Sequence, residues 1–342
     1  PKLPNIVKGE NLTMRLGKET ANFIKQHKDS AFFAFLSFYA VHGPIQTTSE
    51  KWQKYRDKAE DKGIAKDGYK MERVLPVRQV QDNPIYAGLV ESMDDAVGVV
   101  LQALKEAGLE ENTIVVFTSD NGGVASGDAF STSNLPLRGG KGYQWEGGIR
   151  EPYFIKVPWL KNGGSQSSFP VTGTDFYPTL LDLANVNLLP EQHIDGISLK
   201  PILEGEKMDI QRPLFWHYPH YGNQGGNPSS MIRENDWKLI HYWEDGSEEL
   251  YNLASDAGEQ SNVITENPEI AEKLSKKLVD WLENVEANMP TKDPEFDMKL
   301  AAKRHQNIVK EKLPALEAER MNFLSKDFEP NNDWWGSKIT QD

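Results

Sequence analysis

Cysteine is absent from the 342 residues of the sequence. Its absence excludes disulfides, thiolate zinc sites, iron–sulfur clusters and a cysteine nucleophile within these residues. Long apolar runs are missing as well. The longest, residues 31–41, is interrupted by Ser37 and falls short of the ~18 residues that a membrane-spanning helix requires. The sequence therefore indicates a globular protein, and no membrane span is expected.

An initiator methionine is also lacking, because the sequence starts at Pro1. The first residues do not show the charged, apolar and small-residue regions of a signal peptide. We expect this start to be a cut in a longer polypeptide. Hydrophobic residues make up 38% of the sequence and charged residues 26%, which is typical of globular domains and allows one large domain or two.

Positive charge is in short supply. The sequence has 38 Lys and Arg against 51 Asp and Glu, and its formal net charge is −13. Nucleic acids and anionic membranes favour proteins with a positive field, so the charge argues against both as partners. An anionic substrate would have to be bound by a few local cations.

Apolar patterning in the first part of the chain predicts an α/β fold. Spacings of three and four residues predict helices over residues 11–28 and 86–104. Continuous apolar runs predict buried strands at residues 31–39 and 113–118, and such runs are typical of a mainly parallel sheet flanked by helices. The charged stretch 50–78 is interpreted as a loop or mobile insertion.

The pattern changes to short strands beyond residue 201, which predicts a smaller antiparallel sheet followed by a helix over residues 268–285. A further strand at 152–159 and a short helix at 174–183 precede this change. We therefore predict three parts: an α/β part at residues 1–205, a small antiparallel-sheet and helix subdomain at 206–290, and a charged, partly helical tail at 291–342.

Asp120 and Asn121 follow the predicted strand 113–118, and two glycines come directly after them. Ligand sites of open α/β sheets lie at the carboxyl ends of strands. Carboxylate and amide oxygens are hard donors that suit Ca²⁺ or Mg²⁺. The same residues are also common turn formers, so an ordinary turn remains the alternative.

His42 and Lys141 are candidate catalytic residues. His42 follows the predicted strand 31–39, where an imidazole could bind an oxyanion or donate a proton near neutral pH. Lys141 lies among glycines that would allow close approach of an anion, although the segment does not match the phosphate-binding loop pattern. The alternatives are a histidine that ends a strand and a solvated loop lysine.

A second group of polar residues has weaker indications of function. Arg150 and Glu146 flank two glycines, and a buried ion pair that holds this loop is as good an interpretation as catalysis. His217, His220 and His241 lie among aromatic residues. These could line a sugar-binding surface, but packing in a core is the simpler interpretation.

In this order, the segments resemble the formylglycine-dependent (type I) sulfatases of the alkaline-phosphatase superfamily. The resemblance covers residues 12–289, and its matching stretches are residues 33–44, 112–123, 137–142 and 145–152. Each stretch alone is moderately specific, but four in the right order specify the family. The resemblance implies an alkaline-phosphatase-like fold and hydrolysis of a sulfuric ester, with a sulfated sugar or polysaccharide as substrate and a location in the periplasm or outside the cell.

The resemblance also implies roles for individual residues. Asp120 and Asn121 would be calcium ligands, with Ca²⁺ preferred to Mg²⁺. His42 and Lys141 would bind the sulfate group, and His42 would protonate the departing alcohol. Related two-zinc enzymes carry histidine after the aspartate, so the amide oxygen of Asn121 favours a single hard cation. His217, His220 and Arg150 are candidates for substrate binding from their position.

One element of the family pattern is missing. The formylglycine of these enzymes forms from Cys or Ser in a C/S-x-P/A-x-R motif that lies before the His42 segment, next to paired calcium-binding aspartates. The segments around Ser133 and Ser229 lack the required spacing. We expect the nucleophile in an N-terminal portion of the same protein, so that this chain alone would be inactive. A phosphomonoester or phosphonate ester hydrolase and a noncatalytic binding fragment remain the alternatives.

Overall fold

The computed structural model describes residues 11–127 and 129–328 and the backbone of residues 338–340. Its α-helices are α1 (Leu12–Gln26), α2 (Ser49–Lys62), α3 (Pro84–Glu106), α4 (Glu146–Ile149), α5 (Phe176–Leu183), α6 (Lys200–Leu203), α7 (Pro268–Asn284), α8 (Met298–Asn307) and α9 (Leu313–Phe323). Its strands are β1 (Gln46–Thr48), β2 (Tyr69–Met71), β3 (Pro76–Arg78), β4 (Val115–Thr118), β5 (Tyr153–Lys156), β6 (Leu214–Tyr218), β7 (Ser229–Glu234), β8 (Trp237–Tyr242), β9 (Glu248–Asn252) and β10 (Lys338–Thr340). Across the described part of the chain, no helix combines the length and the apolar character needed to cross a bilayer.

Helices α1 and α3 confirm the two helices predicted at residues 11–28 and 86–104. The side chain of Asn11 caps α1 by accepting a hydrogen bond from the Met14 amide at 2.8 Å. Asn83 caps α3, and Pro84 occupies its first turn, where no hydrogen-bond donor is needed. The two helices pack together, and an ion pair of 3.1 Å joins Lys25 to Glu106 at the end of the contact.

The prediction of a loop at residues 50–78 is wrong. Helix α2 fills residues 49–62, and an antiparallel pair formed by β2 and β3 follows it. The helix is stabilised by its contacts with α3, which include ion pairs from Lys51 to Asp95 at 2.5 Å and from Lys54 to Glu91 at 3.0 Å. A charged segment with little apolar periodicity becomes helical here because tertiary contacts outweigh its weak local signal.

The prediction of a buried strand at residues 31–39 is also wrong, since this segment has no regular secondary structure. Phe33 is 75% exposed and Phe35 is 83% exposed. A strand needs a neighbour that pairs with its backbone groups, and no strand within residues 11–127 or 129–328 pairs with this segment. The described residues therefore do not bury the large apolar side chains of this segment.

Strands β4 and β5 confirm the strands predicted at residues 113–118 and 152–159, but the expected pairing of β4 is wrong. The two strands pair antiparallel, with Val115 opposite Lys156 and Thr118 opposite Tyr153. Side chains of β4 are half-buried or exposed, not buried on both faces. An apolar run indicates a strand but does not specify the direction of its neighbour. Among the described residues the one parallel pair joins β1 to β10.

The smaller subdomain follows its prediction closely. Strands β6, β7, β8 and β9 form an antiparallel meander in sequence order. Ile232, Leu239 and Leu250 are cross-strand neighbours, and they pack on the buried face of α7, the helix predicted at residues 268–285. The opposite face of the same sheet, with Met231 and Ile240, packs against residues of the first part of the chain.

Past α7, helices α8 and α9 occupy part of the predicted tail, and α9 packs back on the first part of the chain. The buried Arg320 guanidinium forms ion pairs with Asp82 and Glu317 and donates a hydrogen bond to the Ala65 carbonyl at 2.8 Å. The Gly68 amide donates to the Glu317 carboxylate at 3.0 Å. These contacts fasten α9 to the segment around β2.

Candidate active site

The turn after β4 carries the two candidate metal ligands. Asp120 is exposed, and one of its carboxylate oxygens accepts a hydrogen bond from the Asn121 amide at 3.0 Å. The Asn121 side-chain nitrogen donates to the Gly122 carbonyl at 3.1 Å, which orients its amide group. The turn therefore presents a carboxylate and an amide oxygen at the end of the strand.

Close packing of backbone against backbone holds this turn. The Gly122 amide donates to the Gly148 carbonyl at 3.1 Å. A Cβ atom at Gly122 would lie 1.8 Å from the carbonyl oxygen of Gly147, so only glycine fits. The pair of glycines between Glu146 and Arg150 thus forms the surface on which the candidate metal-binding turn rests.

Lys141 lies in a loop that is bonded directly to this turn. Its backbone amide donates to the Gly123 carbonyl at 3.2 Å. A Cβ atom at Gly140 would lie 2.5 Å from the same carbonyl oxygen, which explains the need for glycine before the lysine. The structure therefore brings together Lys141 and the Asp120–Asn121 turn, which lie about twenty residues apart in the sequence.

Sequence reasoning missed Asn134, which bonds both segments. Its side-chain oxygen accepts a hydrogen bond from the Gly123 amide at 3.0 Å. Its side-chain nitrogen donates to the Gly123 carbonyl at 2.9 Å and to the Gly139 carbonyl at 3.0 Å. An asparagine whose side chain bonds backbone groups 5 and 11 residues away has no signature in the sequence.

Glu151 is a second residue that sequence reasoning missed. Burial raises the pKa of Glu151 to about 7, and the charge of Asp120 adds to the effect. One oxygen of the Glu151 carboxyl group is buried without a hydrogen-bond partner. Glu151 and Asp120 thus place carboxyl oxygens near one another, and such hard oxygen donors fit Ca²⁺. Within residues 11–127 and 129–328, no three His, Asp or Glu side chains cluster as a complete metal site.

His42 is exposed at the end of the apolar segment, and its Nδ1 atom lies 3.1 Å from the Gly43 carbonyl oxygen. Its neighbour Val41 packs against a buried cluster that contains Ile85 and Leu89, and Tyr86 packs against the same cluster. The Tyr86 hydroxyl in turn lies 3.7 Å from the position of a Cβ atom built at Gly123. The His42 segment and Tyr86, whose hydroxyl group lies near Gly123, therefore share one buried cluster.

Glu146 belongs to a buried charge network, and Arg150 lies at its edge. The Lys238 ammonium, which is fully buried, lies 3.2 Å from the Glu146 carboxylate and 2.8 Å from that of Glu259. The Glu259 carboxylate also accepts the Glu146 backbone amide at 2.5 Å. Arg150 is half exposed and lies 3.9 Å from Glu146. Glu146 is thus part of a buried ion pair that holds the loop, but its buried partner is Lys238 and not Arg150.

The two histidines predicted to bind substrate differ in their surroundings. Both ring nitrogens of His217 have partners, the Ser230 hydroxyl at 2.7 Å and the Asn288 carbonyl at 2.9 Å. His220 is exposed beyond the end of β6, and its ring lies 4.1 Å from that of Tyr218. The segment that follows reaches the Lys141 loop, because the Gln144 side chain donates to the Asn227 carbonyl at 2.7 Å.

Comparison with protein families extends these observations. The profile described as Sulfatase matches residues 1–186, and the profile described as N-sulphoglucosamine sulphohydrolase, C-terminal, matches residues 140–288. A sulfatase of Formosa agariphila is 37% identical over 307 residues, which cover 82% of this chain and 52% of that protein. An N-acetylglucosamine-6-O-sulfatase of Bacteroides thetaiotaomicron is 32% identical over 215 residues, with coverages of 61% and 36%. The chain thus spans about half, or less, of the length of these relatives.

Solved structures resemble the chain in fold. The crystal structure of Ps i-CgsB in complex with k-i-k-neocarrahexaose has a TM-score of 0.66 at 24% identity and covers 91% of this chain and 62% of that one. BT4656 in complex with its substrate D-glucosamine-2-N,6-O-disulfate has a TM-score of 0.50 at 28% identity, with coverages of 61% and 42%. The predicted α/β, alkaline-phosphatase-like fold with a smaller antiparallel subdomain is confirmed. The sulfatase profile covers more than half of the chain, and the chain accordingly belongs to the sulfatase family of the alkaline-phosphatase superfamily.

Proposed function

We propose that the chain forms the metal-binding and sulfate-binding part of a calcium-dependent sulfatase that acts on a sulfated carbohydrate. The observation that carries this proposal is the hydrogen bond from the Lys141 amide to the Gly123 carbonyl, at 3.2 Å. It holds a cationic loop beside the turn that carries the candidate calcium ligands. A metal cation on the turn and a lysine on the neighbouring loop would together suit a tetrahedral anion with charge on several oxygens.

Each residue of the site would have a distinct task. The oxygens of Asp120 and Asn121 would hold Ca²⁺, with ligands from elsewhere completing its usual six to eight. When bound, the cation stabilises negative charge on the oxygens of the sulfate group. The Lys141 ammonium would bind the same group, and His42 would donate a proton to the departing alcohol oxygen. Ca²⁺ is preferred to Mg²⁺ because an exposed turn imposes no strict octahedral geometry.

The nucleophile would come from sulfatase sequence outside these 342 residues, since they contain no cysteine and the segments around Ser133 and Ser229 lack the required spacing. When present, the formylglycine of this family supplies the oxygen that attacks sulfur. The exposed aromatic side chains of Phe33 and Phe35 support the idea that the same sequence covers the segment 31–39. On this proposal the chain alone is inactive, and the whole protein works in the periplasm or outside the cell.

The substrate class rests on relatives and on the position of polar side chains. The Bacteroides thetaiotaomicron relative is named for a 6-O-sulfated amino sugar, and BT4656 was crystallised with a disulfated glucosamine. His220 lies close in sequence to the segment that touches the Lys141 loop. We therefore propose that His220 and Arg150 contact the sugar, and that His217 orients the strand end beneath them through its two hydrogen bonds.

Sulfate release by the full-length gene product tests this function. We expect Lys141→Ala to lower kcat/KM for a sulfated sugar by about 10²- to 10³-fold, because it removes a cation from the transition state. Lys156→Ala is the matched control, since Lys156 is an exposed lysine on β5 that pairs with Glu110. Equal activity of Lys141→Ala and the parent would exclude the site assignment. A kcat/KM that is higher for an aryl phosphate than for the matched aryl sulfate would favour the phosphoesterase alternative.

A further inference from the structure

Asn134 lies between the two halves of the candidate site. Its three hydrogen bonds engage both backbone groups of Gly123 and the carbonyl of Gly139. Gly123 follows Asn121 by two residues, and Gly139 precedes Lys141 by two. A single side chain therefore bonds the backbone of both segments of the candidate site.

The chemistry of the contact requires an amide. The Asn134 nitrogen has two hydrogens, and each is donated to a different carbonyl oxygen. The Asn134 oxygen accepts from the Gly123 amide, so that the Gly123 peptide groups are held at both ends. A carboxylate would keep the acceptor but lose both donors, and it would place a negative charge against two carbonyl oxygens.

The two loops approach so closely at this contact that a side chain at Gly140 does not fit. A Cβ atom at Gly140 would lie 2.5 Å from the Gly123 carbonyl oxygen and 2.8 Å from the Asn134 side-chain nitrogen. The two loops therefore meet backbone to backbone, and their separation depends on the hydrogen bonds that cross the contact. Three of these bonds come from Asn134, and one comes from the Lys141 amide.

We propose that Asn134 is a positioning residue that sets the spacing between the Asp120–Asn121 turn and Lys141. It is not one of the candidate ligands, and it acts through Gly123 and Gly139. This inference rests on the proposed function for its catalytic consequence, but the coupling of the two loops is a property of the chain itself. Losing the side chain would let the two loops separate.

Asn262 provides a matched control. Its side-chain oxygen accepts from the amides of Leu250 at 2.9 Å and Ile264 at 3.1 Å, and its nitrogen donates to the Glu248 carbonyl at 3.3 Å. It therefore also makes three bonds to backbone, but within the smaller subdomain. A merely structural role for Asn134 predicts the same behaviour for Asn134→Ala and Asn262→Ala.

Hydrogen exchange, Ca²⁺ binding and turnover of an aryl sulfate, measured on the full-length protein, test the inference together. We expect Asn134→Ala to raise amide exchange at residues 119–123 and 139–142 together, to weaken Ca²⁺ affinity by about 10- to 100-fold and to lower kcat more than it changes KM. Asn262→Ala should leave exchange in these segments and Ca²⁺ affinity within about twofold of the parent. Asn134→Asp, which retains the shape and the acceptor, serves as the second variant if Asn134→Ala does not fold.

Exchange that rises in neither segment, or in only one of them, would overturn the inference. Unchanged Ca²⁺ affinity in Asn134→Ala would do the same where the parent binds Ca²⁺. A parent that neither binds Ca²⁺ nor releases sulfate, while both segments open together in Asn134→Ala, would refute the proposed function and retain the coupling of the loops. Failure of the positioning role of Asn134 and failure of the proposed function are therefore distinguishable.

Discussion

The smaller subdomain and the first part of the chain differ in how completely their apolar surfaces are covered. The meander of β6 to β9 is packed on both faces, by α7 on one side and by the loops around Trp145 on the other. In the first part, by contrast, Phe33, Phe35 and Phe154 are largely exposed. The sheet is stabilised because both of its faces are buried by other described residues. The segment 31–39 gains little stability, because its large apolar side chains stay exposed.

Lys238→Met should have the largest effect, because Lys238 joins the two regions. Its removal leaves the Glu146 and Glu259 carboxylates buried and without their shared cation. We expect the free energy of unfolding to fall by about 3–5 kcal/mol, measured by urea denaturation. Lys25→Met, which breaks an exposed ion pair, should change it by ~0.5 kcal/mol or less. A loss below ~1 kcal/mol for Lys238→Met would mean that the two regions are stabilised independently.

Leu250→Ala and Phe35→Ala compare the two apolar surfaces directly. Leu250 is fully buried in the meander, so its truncation should cost about 2–5 kcal/mol through lost contacts and the cavity that remains. Phe35 is 83% exposed, and its truncation should stay within ~0.5 kcal/mol. Denaturation midpoints of this chain measure both. Similar losses for the two variants would contradict the contrast between the regions.

A smaller effect is expected at the start of α3, the longest helix of the first part. The Asn83 side chain accepts hydrogen bonds from the amides of Ile85 and Tyr86. Asn83→Ala should lower the free energy of unfolding by about 1 kcal/mol, because it leaves these amides without an acceptor. Asn83→Ser retains a capping oxygen and should recover most of the loss. No recovery would indicate that packing at Asn83, and not capping, stabilises the helix.

The smallest effect concerns pH. A hydrogen bond from His241 lowers the pKa of Glu248 in the folded state below its unfolded value. The associated stability is present above the unfolded pKa of Glu248 and is lost as the pH falls through the folded value. Glu248→Gln should therefore cost about 1 kcal/mol or less at pH 6, and less than that at an acidic pH below the folded pKa of Glu248. Urea midpoints at the two pH values measure this difference, and a cost that is equal at both would contradict it.

The same comparison explains which features the sequence could predict. Alternation and turns predict β6 to β9, and three- and four-residue spacings predict α3, because these patterns depend on one buried face of one element. The antiparallel direction of β4 and the lack of a strand at residues 31–39 depend on neighbours, which local patterns do not encode. Helix α2 was missed because its contacts with α3, and not its own periodicity, stabilise it.

Site residues divide in a similar way. Asp120, Asn121 and Lys141 could be proposed because a strand end and a glycine-rich loop have recognisable sequences, whereas His42 was proposed at the end of a strand that the structure does not contain. Asn134 and Lys238 could not be proposed in this way. Asn134 bonds to backbone atoms, and Lys238 bonds to a carboxylate far along the chain. Lys238 lies 92 residues from Glu146 in the sequence. Contacts that depend on the completed fold have no pattern in the sequence, whereas polar residues directly after an apolar strand can be recognised there.

The buried contacts of Arg320 determine how the protein would respond to proteolysis. The exposed connection at residues 291–297 offers a cleavage site, but Asp82 and the Ala65 carbonyl hold α9 through Arg320, and the Gly68 amide holds it through Glu317. A nick in that connection would produce two polypeptides that remain associated through a buried guanidinium. Such a nicked protein would migrate as one species on a sizing column and separate into fragments in denaturant.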